Sequence, residues 1–105
     1  MLTKEREQEV ISLCQNLIKA KSYSGGESLV VDELIKYFEA NKFDEIVVDE
    51  YGNIIGKIKG NRAGKTILFD GHIDTVPVTD PRAWNFDPFG AIISDGKIYG
   101  GKDVN

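Results

Sequence analysis

His72 and Asp74 are the residues whose types and spacing are best suited to chemistry, standing two apart just beyond the apolar run Lys65-Thr66-Ile67-Leu68-Phe69-Asp70. A short run of this kind reads as a strand buried in a sheet interior. Strand side chains repeat every two residues, so both groups are expected to project to one side. A neutral imidazole ligates a divalent cation through one ring nitrogen. A neighbouring carboxylate that holds the other ring N–H fixes the tautomer and the ring orientation. Gly71 leaves room for close approach, and strand ends in open α/β sheets are where ligands usually bind. Against this, a lone histidine is more often a surface or hydrogen-bonded residue than a ligand. His72 is the only histidine in the sequence, so a self-contained multi-histidine zinc site is excluded. A complete site is expected to recruit carboxylates, or residues beyond Asn105.

The elements that must position this pair follow from periodicity. Thr3 suits the N-cap of a first helix, with Glu5 and Glu7 near its positive end and Lys19 and Lys21 near its negative end. Val10, Leu13, Cys14, Leu17 and Ile18 fall on one buried stripe, which makes Cys14 a packed thiol rather than a reactive one. Ser24 followed by Glu27 has the capping-box spacing. It opens a second helix that buries Leu29, Val30, Leu34, Ile35 and Phe38 and runs to about Asn41. Ile46-Val47-Val48, a turn at Tyr51-Gly52-Asn53 and the alternating stretch to Lys59 then predict a strand pair. Gly60 to Gly64 is a turn, and the apolar run before His72 follows. A loop with Pro77, Pro81 and Pro88 comes next, carrying Trp84, Phe86 and Phe89, whose rings are expected to pack the loop onto the sheet rather than line a pocket. Ala91-Ile92-Ile93, Asp95-Gly96 and Lys97-Ile98-Tyr99 predict a β-hairpin. Asp44, Glu45, Asp49 and Glu50 read as a solvated acidic edge. The order of helices and strands predicts an α/β sheet with two covering helices.

Composition narrows the function. The chain has 105 residues, 41% hydrophobic and 29% charged, enough for one domain with a core. A net charge of −4 and scattered single lysines argue against a nucleic-acid partner. No apolar run approaches membrane-spanning length. The charged N-terminal stretch has no signal-peptide apolar region. One cysteine rules out an intrachain disulfide. A soluble cytoplasmic protein is expected.

The string Ile67-Leu68-Phe69-Asp70-Gly71-His72-Ile73-Asp74-Thr75-Val76-Pro77-Val78 closely resembles the first metal motif of the M20 metallopeptidase family, which includes acetylornithine deacetylases, succinyl-diaminopimelate desuccinylases, carboxypeptidases and aminoacylases. Ser22-Tyr23-Ser24-Gly25-Gly26-Glu27 looks like that family's entry into its second helix. Asp49-Glu50-Tyr51-Gly52-Asn53 looks like its turn before a strand. Trp84 to Phe89 and Asp95 to Gly100 look like its approach to the second metal motif.

The resemblance implies the N-terminal part of a zinc-peptidase-like three-layer α/β catalytic domain spanning residues 1–105, without the family's lid domain. It implies His72 as a zinc ligand and Asp74 as the catalytic-site carboxylate that orients it. Asp103, 31 residues after His72, stands near the place of the aspartate that bridges two zinc ions. The family's Gly-Arg-Gly-x-x-Asp-Met-Lys pattern is not kept around it, so Asp103 is either a bridging ligand in a shortened motif or part of an altered tail. In the complete family enzyme two zinc ions activate a water, and a later glutamate serves as general base. Substrates are N-acyl amino acids or short peptides. That glutamate and the remaining ligands lie beyond Asp103, so this chain is expected to bind zinc weakly at most and to be inactive alone.

Two other readings stand beside this one. A non-catalytic remnant could act through protein–protein contacts. A sheet that lacks its later strands should expose an edge and an apolar face, which predicts a homodimer or higher self-association. A nucleotidyltransferase, faintly suggested by Phe69-Asp70-x-His72, needs a second histidine that the sequence lacks.

Overall fold

The computed structural model describes residues 2–20, 26–74, 82 and 85–100. The predicted features at Lys21 to Gly25, Thr75 to Pro81, Trp84 and Gly101 to Asn105, Asp103 among them, lie outside the described residues. Helix α1 runs Lys4–Lys19 and helix α2 runs Ser28–Ala40. Strands β1 (Glu45–Val48) and β2 (Ile54–Lys57) form one antiparallel pair, and β3 (Ile93–Ser94) and β4 (Lys97–Ile98) form another. The arrangement is α/β: two helices with two small antiparallel hairpins. Among the described residues no helix is long and apolar enough to cross a membrane.

Helix α1 begins as its sequence predicts. The Thr3 hydroxyl accepts from the Arg6 amide at 3.1 Å, with Glu5 and Glu7 in the first turn. Its apolar stripe is only half-buried, and Val10 is exposed. Two contacts tie the helix to the C-terminal part of the described chain. Gln15 Nε2 donates to the Ala91 carbonyl at 3.0 Å, and Ile18 packs against buried Gly100, where an added Cβ would meet its Cδ1 at 3.0 Å.

Helix α2 starts later than the capping-box pattern predicts. Glu27 occupies the N-cap with no side-chain capping bond, rather than the third helical position, and Ser24 lies outside the described residues. The buried face also turns slightly from expectation. Val30 and Val31 are buried whereas Leu29 is exposed. The helix presents the side of Val31 to its neighbours, and Leu29 falls one position outside that stripe.

The end of α2 closes in a Schellman motif that the sequence does not advertise. Asn41 is the C-cap, and Lys42 adopts φ +56 at the left-handed position usually filled by glycine. The Phe43 amide donates to the Phe38 carbonyl at 3.1 Å, and the Lys42 amide to Glu39 at 3.1 Å. The accompanying apolar contact is a stacked ring pair, Phe38 on Phe43, with centroids 4.3 Å apart. A side chain at φ +56 carries a steric cost that glycine does not. Lys42→Gly is therefore expected to stabilise the fold by about 0.5–1 kcal/mol, read as a higher denaturation midpoint with an unchanged slope.

The stacked rings set the position of the β1–β2 hairpin. A Cβ on Gly56 would lie 2.7 Å from Phe43 and 2.8 Å from Phe38, so β2 approaches the rings through a residue with no side chain. Cross-strand partners run from Glu45 with Lys57 to Val48 with Ile54, and the Glu45–Lys57 pair adds an exposed ion pair at 3.5 Å.

The acidic residues form a solvated edge as expected, with Asp44, Glu45 and Glu50 exposed and Asp49 half-buried, and two of them also hold the hairpin's ends. Asp49 is the hub of the hairpin turn. Its Oδ1 accepts from the amides of Tyr51 and Asn53, each at 2.9 Å, and its Oδ2 accepts from Asn53 Nδ2 at 2.8 Å. Gly52 completes the turn at φ +84. Asp44 plays a similar part at the other end, where its Oδ2 accepts from the Lys59 amide at 2.6 Å. These bonds favour the charged form of Asp49. The Asn53 side-chain amide is the largest contributor, and the group is held below the usual aspartate range. A lowered native pKa stabilises the hairpin above the unfolded value and loses that contribution as pH falls through the native value. Thermal melts should therefore show a loss of stability below about pH 4, and Asp49→Ala should remove that part of the acid dependence.

The C-terminal hairpin follows its sequence closely. Asp95 (φ +53) and Gly96 (φ +73) form the tight two-residue turn that such hairpins favour. Ile93 pairs with Ile98 and Ser94 with Lys97, and the Tyr99 amide donates to Ile92 at 2.9 Å. Phe86 packs on Tyr99 with centroids 4.4 Å apart, so this loop ring is used for packing.

The main departure concerns Lys65 to Asp70. This run is neither a strand nor buried: it is unpaired among the described residues, with Ile67 76%, Leu68 83% and Phe69 90% exposed. The physical reason is direct. A strand of this composition is buried only when strands flank both its edges, and among the described residues the two sheets contain β1 with β2 and β3 with β4 alone.

Candidate functional site

His72 lies three residues past this exposed run's last apolar residue, in a stretch without helix or strand that also carries Asp74. The structure brings the two predicted side chains together. His72 Nδ1 is 3.0 Å from Asp74 Oδ1 and 3.1 Å from the Asp74 backbone carbonyl. A carbonyl oxygen and an ionised carboxylate are acceptors only, so Nδ1 must carry the proton that both share. That choice leaves Nε2 as the basic nitrogen of the neutral ring. This is the tautomer that a carboxylate-oriented metal ligand uses.

The pair sits in a groove of about 930 Å³. The groove is lined by β2 residues Ile54, Ile55 and Gly56, by Phe38 and Phe43, and by the chain from Leu68 to Asp74. The His72 side chain is largely exposed and that of Asp74 about half so. Solvent reaches the ring, and the Coulombic attraction between the two groups is correspondingly screened. Their contact defines ring orientation more than it stabilises the fold.

A zinc centre needs three or four protein donors. Among the described residues no group of three or more His, Cys, Asp or Glu side chains is placed to hold a metal. The donor set here fits one ligand and the carboxylate that orients it. Asp103, the other predicted ligand, lies outside the described residues. Cys14 is a free, half-buried thiol on α1, on the face that packs toward the rest of the fold. Asp49 is the residue whose role sequence reasoning missed. Its signal was present in Asp-x-x-Gly-Asn, the spacing of a side chain that accepts from amides further along its own turn.

Comparison with known proteins finds relatives in sequence over most of the chain. The chain is 33% identical over 92 residues to succinyl-diaminopimelate desuccinylase 2 of Ruegeria sp., covering 86% of this chain and 23% of that protein. It is 34% identical over 92 residues to a succinyl-diaminopimelate desuccinylase of Cereibacter sphaeroides, covering 86% of this chain and 24% of the relative. An uncharacterized metallohydrolase of Methanocaldococcus jannaschii is 33% identical over 112 aligned positions, covering 89% and 27%. Over the aligned region the chain is thus related to the metallopeptidases and deacylases of the M20 family. It spans about a quarter of the length of the curated relatives it matches. No family model matches the chain, and no solved structure matches it significantly.

Proposed function

We propose that this chain carries the first metal ligand of a zinc-dependent amidohydrolase or peptidase, with His72 Nε2 as the ligating atom and Asp74 as the carboxylate that holds the ring. The observation that supports it most is the 3.0 Å Nδ1–Oδ1 contact on an exposed ring in a concave site. The relationship to succinyl-diaminopimelate desuccinylases points to an N-acylated amino acid as the substrate class, with a short peptide as its near equivalent. Asp103 is the candidate bridging ligand on sequence position alone.

When bound, zinc lowers the pKa of its water and polarises the amide carbonyl. What the residues described here contribute is narrower. Asp74 accepts a hydrogen bond from Nδ1–H, which fixes the tautomer and the orientation of the neutral ring.

Zinc calorimetry on the purified chain is the test. One weak, chelator-reversible site is expected, far below the ~10–16 kcal/mol of a complete structural zinc centre. No detectable zinc binding would remove the basis of the reading, and chelator-sensitive hydrolysis of an N-acyl amino acid would show that the chain does more than contribute a ligand.

A further inference from the structure

We draw no further inference here: the strongest candidate, the groove between helices α1 and α2 lined by Glu9, Leu13, Glu33, Lys36, Tyr37 and Ala40, carries nothing because nothing in the structure shows what covers it.

Discussion

His72→Ala is expected to reduce zinc affinity by more than about 100-fold, about 2.8 kcal/mol, leaving the chain with no saturable site. The ring nitrogen is the one histidine donor in the sequence, and no cluster of three or more alternative donors exists among the described residues to replace it. Asp74→Asn should have a smaller but distinct effect, in the range of about 10–100-fold measured for partners that orient a ligating histidine. Asparagine can still accept the Nδ1–H hydrogen bond through its amide oxygen, but it lacks the carboxylate charge that strengthens that bond. It can also rotate its NH₂ toward Nδ1 and so favour the opposite tautomer. Neither change should alter the melting temperature appreciably, because both side chains are solvent-exposed. Equal loss of affinity and of stability would show instead that the pair is structural.

The second large effect concerns the fold. Phe43→Ala is expected to destabilise the chain by about 2–4 kcal/mol, a large share of the stability of a domain of this size. Phe43 stacks on Phe38 at 4.3 Å, closes the Schellman motif through its amide, and supports β2 at Gly56. Removing the ring therefore loosens the end of α2 and the hairpin at once. The backbone capping bonds survive the substitution, so its cost is that of the lost ring and the cavity it leaves. Gly56→Ala attacks the same junction from the other side by overpacking, and should cost about 1–3 kcal/mol. Denaturant titration of the two variants and the double mutant tests the link. The double mutant should be less destabilised than the sum, because removing the Phe43 ring makes room for the methyl group added at position 56.

Much of this architecture was legible in the residues. The Thr3 cap, the β-branched Ile46 to Val48 and the Asp95-Gly96 turn each carry a local signal strong enough to stand without tertiary help, and each appears where the sequence put it. Two kinds of feature were not legible. Lys42 in a left-handed conformation gives no sequence cue, because the cap is held by Phe38 and Phe43, a contact that propensity does not encode. The run before His72 has the composition of an interior strand, but composition says only what such a segment would do if neighbours were present. Burial is a property of partners, and the described residues supply none. The His72–Asp74 contact was readable for the opposite reason: it is local, spans two residues, and needs no distant element to form.

The central claim is that His72 presents Nε2 to a divalent cation while Asp74 holds Nδ1–H. Because the sequence has a single histidine, long-range ¹H–¹⁵N correlation spectra report on this ring alone. A neutral-pH spectrum should show the Nδ1-protonated tautomer, and titration with Zn²⁺ should move the Nε2 resonance while Nδ1 keeps its proton. An Nε2-protonated ring, or one whose nitrogen shifts do not respond to zinc, would contradict the account.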